Sequence, residues 1–213
     1  MNRRILPLLL VTLICTSVCS QETEEVDIDT LIGKLRNLSI LFLDTDSKAM
    51  IDRQQKKIEL ADQILEHPDM EEAHRLFATI TRIRALGIHF NVLYTAKKQD
   101  DDLNETYANA IEEGLADDDQ LVIIEATTSQ ASFRCGLFIL DPIEGNAKPT
   151  AEALNELEKL GPRDPLVQTT RRVLLEQLWN SDQPKLVFEA LVEFDDKRAR
   201  IVLNELEGAT DKQ

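Results

Sequence analysis

The residues able to do chemistry are few and scattered. Glu71 and His74 stand three apart in Glu71-Glu72-Ala73-His74. That Glu-x-x-His spacing puts a carboxylate and an imidazole on one helical face, and paired copies of it hold di-iron centres. Here it occurs once, and neither His67 nor His89 has a Glu three residues before it. A single pair leaves a metal under-ligated, so a polar helix start is the simpler reading. Asp44-x-Asp46 opens like a calcium loop. The sixth position of that pattern is Ala49 where a sharp turn needs Gly, and the twelfth is Gln55 where a bidentate Glu belongs. Asp100-Asp101-Asp102 and Asp117-Asp118-Asp119 bracket one segment. Together they could attract calcium weakly, but Asp is also the residue that helix starts recruit as caps.

Cys135 lies in the apolar run Phe133-Arg-Cys-Gly-Leu-Phe138, with no His or Asn beside it in sequence. Nothing there activates a nucleophile. A buried small hydrophobe is the expected role, with an intermolecular bridge as the alternative for an odd cysteine. The chain has no Gly-rich phosphate loop, Gly-x-Ser-x-Gly, Cys-x-x-Cys or His-Glu-x-x-His. With three His and seven Gly, an enzyme would need a site made of carboxylates alone. No catalytic, cofactor-binding or metal residue is therefore assigned, and no cofactor is expected. Asn37-Leu-Ser39 and Asn104-Glu-Thr106 match the glycosylation pattern, which matters only in a eukaryotic secretory pathway.

The first residues place the chain in the cell. Arg3 and Arg4 precede an apolar run from Ile5 to Ile14, ten residues long and too short to span a bilayer. Val18-Cys19-Ser20 then offers a cut ahead of Gln21. Residues 1–20 read as a cleaved secretory signal. The alternative is a lipoprotein signal with Cys19 lipidated, against which Val18 stands as a poor neighbour. The expected localisation is exported, periplasmic or secreted. No later apolar patch, Leu121–Ile124 and Gly136–Leu140 included, reaches the length of a membrane span. Cleavage removes Cys15 and Cys19, leaving Cys135 alone and no internal disulfide. About 190 residues are enough to bury a core, since chains of this size hide roughly 70% of their unfolded surface.

Cleavage also removes Arg3 and Arg4 from a total of 24 Lys and Arg. That leaves 22 against 39 Asp and Glu, a net charge of −17. Such a body repels phosphate backbones and anionic membranes. No nucleic-acid partner is expected. The acidity reads first as solubility.

Secondary structure follows from apolar spacing. Residues 21–29 are acidic and read as a flexible linker. A single helical domain is expected over 30–208, with a free tail at 209–213. Ile58, Ala61, Ile64 and Leu65 share one helical face, and a second helix carries Ala73, Leu76, Phe77, Ile80, Ile83 and Phe90. The break at His67-Pro68-Asp69 is short enough to make an antiparallel hairpin, with Pro68 opening the second helix. Thr30 or Asp29 can cap the first helix of the chain, and Thr150 one that follows a loop at Gly145–Pro149. Ser181 or Asp182 can start another ahead of Pro184, and Asp195 or Asp196 the last. Leu121 to Leu140 has a β-branched start, Val122 to Ile124, so a strand stays open there. Its length and the stripe Ile124, Thr128, Ala131, Cys135 and Phe138 favour helix. About nine helices result. The fold class is all-α: antiparallel helical hairpins stacked as a short α-solenoid, or an irregular helical bundle. Trp179, the single Trp, at the end of an amphipathic helix, is expected as a core or interface anchor, the core first.

Two segments share a pattern of Ala, a leucine-type contact and a closing Pro, Ala61-Asp-Gln-Ile-Leu-Glu-His-Pro68 and Ala153-Leu-Asn-Glu-Leu-Glu-Lys-Leu-Gly-Pro162. Each resembles the second helix of a tetratricopeptide repeat. Ala85-Leu86-Gly87-x-x-Phe90 resembles the first helix of such a repeat, with Gly87 at the close-packing position. Leu154-Asn-Glu-Leu-Glu158 recurs as Leu203-Asn-Glu-Leu-Glu207. The repeat spacing drifts, and no aromatic marks the first-helix start. The resemblance implies stacked hairpins with a concave surface for proteins or peptides. It transfers no binding residues. The expected function is a non-catalytic, exported scaffold that binds a protein or peptide. The alternatives are a small-molecule or lipid carrier walled by 121–140 and 86–94, and a hydrolase with acidic catalytic residues.

Overall fold

The computed structural model describes residues 26–40, 46–161, 164–194, 196–197, 199–201 and 203–204. The expected signal at 1–20 with Cys19 and the expected cut before Gln21, the expected linker as far as residue 25, and the apolar run 41–43 lie outside the described residues. So do Asp44, Pro162, Asp195, Val202, Leu206, Gly208 and the tail 209–213.

Every regular element among the described residues is an α-helix. They are α1 (Ile28–Ile40), α2 (Ser47–Leu65), α3 (Glu72–Thr95), α4 (Asp101–Leu115), α5 (Gln120–Leu140), α6 (Glu144–Leu160), α7 (Pro165–Trp179) and α8 (Pro184–Glu193). Described residues between 197 and 204 are helical again. The segment with the β-branched start is helix throughout, which closes the strand option.

Aspartates start most of these helices by accepting from first-turn N–H groups. Asp46 accepts from Lys48 and Ala49 N (both 3.3 Å). Asp100 accepts from Leu103 N (3.0 Å), Asp119 from Leu121 N (2.8 Å) and Asp164 from Leu166 N (2.8 Å). Asp196 does the same for Ala199 N (3.0 Å). The cap of α1 is Asp27, not Asp29 or Thr30. Its carboxylate takes the N–H groups of both those residues, and the Thr30 hydroxyl donates to it as well. Helical order thus begins two residues inside the expected linker.

Three further boundaries differ from expectation. α3 opens at Glu72 rather than at Pro68, because Met70 N donates to His67 O and Asp69 N to His67 Nδ1, which folds 67–70 into a turn. α6 begins at Glu144 and runs through Pro149, where a loop was expected. Pro149 sits only in the second turn, so its missing N–H removes one helical bond. Buried Ala147, Thr150 and Ala151 hold that turn inside. The Thr150 hydroxyl lies 2.7 Å from Asn146 O and 3.0 Å from Arg134 O on α5, so it ties α6 to its neighbour instead of capping it. Before α8, Gln183 precedes Pro184 at the first helical position. Ser181 serves the end of α7, donating to Leu178 O at 2.7 Å.

Every pair of helices in substantial contact is adjacent or next-but-one in the chain. Hairpins therefore stack along one direction. Three apolar clusters follow the stack. Leu31, Ile32 and Leu35 of α1 meet Leu60, Ala61 and Ile64 of α2. Ile83, Leu86 and Phe90 of α3 meet Tyr107 and Ile111 of α4. Leu154 and Leu157 of α6 meet Leu178, Phe188 and Leu191. Helix α5 belongs to two of them, giving Val122, Ala126 and Phe133 to the middle cluster and Ala131, Cys135 and Phe138 to the last. That is why its sequence is apolar nearly all round. Helix α5, packed against α3, α4, α6 and α7, is the centre of the fold.

Small residues let the helices close up. A Cβ on Gly87 of α3 would lie 2.6 Å from the Tyr107 hydroxyl of α4, and one on Gly136 of α5 would lie 2.6 Å from Phe90 Cε1 of α3.

Apolar spacing predicts Leu166, Val167, Thr170, Val173, Leu174, Gln177 and Leu178 on the inner face of α7, and of these Leu166, Val173 and Gln177 turn outward. Leu166 is 72% exposed and Val173 41%, while Arg171 is 1% exposed. Arg171 is held by Glu158 at 2.9 Å and by Asp196, two carboxylates brought in from α6 and from beyond α8. Local apolar spacing contains no sign of such a partnership. Trp179 is 37% exposed, its ring edge-on to buried Phe188 at 6.4 Å. Phe188 takes the core place expected of it, because α8 lies over α6 rather than over α7.

Candidate binding groove

Arg84 of α3 pairs with Glu125 near the start of α5, and Phe90 lies on Gly136 nearer its end. Gly136 and Leu140 line the same space as Val173 and Gln177 in turn, so α3, α5 and α7 run the same way. Between their C-terminal halves lies an open groove made of two continuous depressions of about 650 and 370 Å³ that share Tyr94, Thr95 and Gln177.

The α3 wall carries Asn91, Tyr94 and Thr95. The floor is α5, with Ser132 and Gly136 in the smaller depression and Ile139 and Leu140 in the larger. The α7 wall carries Thr170, Val173, Leu174 and Gln177. Lys97 and Gln99, just past α3, and Asp182, just past α7, edge the larger depression. Gly136 keeps the floor low, since any side chain there would run into Phe90. Leu174 is 6% exposed and closes the α5–α7 seam beneath, leaving Val173 at the surface.

The polar groups differ in what they can still do. The Thr95 hydroxyl donates to Asn91 O at 2.7 Å and that of Ser132 to Thr128 O at 3.1 Å, so each retains only lone pairs. The side-chain amides of Asn91 and Gln177 form no hydrogen bond with a described residue and can both donate and accept. Tyr94 stacks on Phe90 with centroids 6.2 Å apart, and burial raises its phenol pKa. Lys97 has a φ of 53°, the left-handed region, with Lys97 N donating to Tyr94 O and Lys98 N to Leu93 O (both 2.9 Å). This is the reversal that commonly ends a helix at Gly. At a lysine it costs about 1 kcal/mol.

The candidate residues of the sequence go elsewhere. His74 is a cap: its Nδ1 lies 3.4 Å from Glu71 N, and the two residues close the α3 start on each other. Asp46, Asp100 and Asp119 cap helices. Asp117 binds Arg75 at 2.5 Å, and Arg75 also binds Glu72 at 2.7 Å. Hydrogen bonding to that guanidinium holds both carboxyls below their ordinary pKa. Among the described residues no group of His, Cys, Asp and Glu converges as metal ligands would. Cys135 is wholly buried and free, with its thiol pKa pushed up by that burial. Asn37 is exposed on α1, and Asn104 is half-buried in the first turn of α4.

Segments 86–94 and 121–140 do come together. Their shared interior is filled by rings, with Phe90 5.0 Å from Phe133 and 5.9 Å from Tyr107. The open space lies on their C-terminal halves. Apolar spacing puts Thr170, Val173 and Gln177 on the inner face of α7, but their place as one wall of a groove is set only when α5 is laid beside them. No described helix is long and apolar enough to cross a membrane. No family model, curated protein or solved structure matches the chain.

Proposed function

We propose that the protein is exported, lacks catalytic activity of its own, and holds an extended segment of another protein in the α3–α5–α7 groove. The observation that carries this reading is a groove whose walls present unbonded amides, Asn91 and Gln177, on either side of apolar contacts from Tyr94 and Val173. Paired amides satisfy the N–H and C=O groups of an extended backbone, and the apolar contacts take its side chains.

The tetratricopeptide resemblance supports the same reading through its parity. Residues 61–68 and 153–162, with second-helix character, fall largely on α2 and α6, and residues 85–90, with first-helix character, fall on α3. Alternate helices α3, α5 and α7 line the groove, as the first helices of stacked repeats would. Arg3, Arg4 and the apolar run to Ile14 support export.

The test is site-specific photocrosslinking in the native exporting cell. A crosslinker at Val173 should trap one polypeptide that a crosslinker at Glu105, exposed on α4, does not. Equal capture from both positions refutes the groove. A depression of about 650 Å³ is also within the range of small-molecule sites. Native mass spectrometry of gently purified protein separates the two readings, a retained small ligand favouring a carrier.

A further inference from the structure

The larger depression has an electrostatic character that the overall acidity does not explain. Three helices end at it. Tyr94 and Thr95 are the last residues of α3, Ile139 and Leu140 the last of α5, and Gln177 lies in the final turn of α7. Each helix C-terminus carries roughly half a negative charge, although N–H groups just past the ends already cap Leu93 and Tyr94 O of α3 and Gln177 and Leu178 O of α7. Cations in the last turn usually offset this, yet none of the three has a basic residue there. Asp182 adds a full negative charge and has no partner among the described residues. The Thr95 hydroxyl proton is committed to Asn91 O, so that oxygen can only accept. Acceptors and negative charge thus meet around one space of about 650 Å³. The single cation among the described residues lining it is Lys97, on the strained backbone position just past α3.

We propose that this end of the groove is a receptor for a lysine or arginine side chain, so that the segment bound in the groove is a basic polypeptide. The assignment rests on the groove reading above. The partner's cation lies against the three helix C-termini and Asp182, and its neighbouring apolar side chain lies on Tyr94 and Val173. Lys97, on the rim of the same depression, repels a second cation and limits affinity.

The test uses the full chain, expressed with its own N-terminal segment and tagged after Gln213. It is titrated against three fluorescein-labelled ten-residue peptides that alternate Leu with Lys, Gln or Glu. The Lys–Leu peptide should bind tightest, and its Kd should rise with salt. Asp182→Asn should weaken it about fivefold, the upper end of the range for one exposed ion pair. Lys97→Asn, which suits the left-handed backbone, should strengthen it. Glu105→Gln changes net charge as Asp182→Asn does but lies off the groove, and should leave Kd within about twofold. Equal losses from Asp182→Asn and Glu105→Gln would mean diffuse attraction to an acidic body and overturn the receptor. Weakening by Lys97→Asn, or equal binding of the Glu–Leu peptide, overturns it too. If Gln–Leu binds as well as Lys–Leu and Val173→Asp abolishes both, the groove stands and its cation preference falls. If no peptide responds to Val173→Asp, the groove reading falls, and the receptor with it.

Discussion

Two glycines make opposite predictions for the same substitution. Gly33 lies inside α1, and a Cβ there would meet nothing within 4 Å. Ala in a helix interior is better than Gly by about 1 kcal/mol. Gly33→Ala should therefore stabilise by about that amount, worth roughly 2–4 °C in Tm for a chain of this size. Gly136 lies inside α5, where the same propensity gain applies. Its Cβ, however, would stand 2.6 Å from Phe90 Cε1 and 2.8 Å from Cζ, about 1 Å inside normal contact. The Phe90 ring is 3% exposed and wedged by Phe133 at 5.0 Å, Tyr107 at 5.9 Å and Tyr94 at 6.2 Å. It has nowhere to turn, so the overlap falls at the upper end of overpacking, about 3 kcal/mol. Subtracting the propensity gain leaves Gly136→Ala destabilising by about 2 kcal/mol, on the same central tendencies. Urea denaturation followed by circular dichroism reads both variants. Phe90→Leu removes the two clashing atoms. In that background, Gly136→Ala should lose most of its penalty, a coupling that a double-mutant cycle measures directly. The reasoning is refuted if Gly136→Ala raises stability in the parent, or costs as much in the Phe90→Leu background as in the parent.

Three other perturbations test the remaining interior. The depressed carboxyls of Asp117 and Glu72 contribute stability above their ordinary values of 3.8 and 4.5, and it is lost as pH falls through their lower folded values. Arg75→Met should therefore flatten the decline in stability below about pH 4, measured by urea titration at fixed pH steps. Arg171→Met removes the cation between Glu158 and Asp196 and leaves Asp196, 9% exposed, without it. A loss of about 3 kcal/mol is expected, partly recovered when Asp196→Asn is added, and a smaller loss in the single variant would show that Asp196 reaches water. Cys135 should resist Ellman's reagent in the folded protein and react at the global unfolding rate, because it is wholly buried with a raised pKa. Rapid labelling under native conditions would contradict that burial.

Much of the architecture was legible in the chain itself. Period-3.6 apolar spacing marks each helix, and Asp ahead of an apolar run marks most starts, because capping and amphipathicity are local demands that a few neighbouring residues meet. The hairpin of α2 and α3, the burial of Cys135 and the helical nature of 121–140 follow from such demands. Where local signals conflicted with packing, packing prevailed. Pro149 stays inside α6 because Ala147, Thr150 and Ala151 bind that turn to α5. Arg171 is buried and Leu166 exposed because two carboxylates distant in sequence converge on one guanidinium. Trp179 yields the core to Phe188 because α8 lies over α6.

The groove belongs entirely to the tertiary level. Asn91, Ser132, Val173 and Gln177 sit on three separate helices, and no spacing rule connects 91 to 177. They become one surface because antiparallel hairpins send every second helix the same way and bring three C-termini to a common space. The helices and most of their caps are properties of residues near one another in the chain, and they can be read there. Which faces meet is fixed by the stacking, since that depends on whole surfaces fitting. Gly136 beneath Phe90 is the smallest example, a missing methyl group whose meaning comes from a ring forty-six positions away.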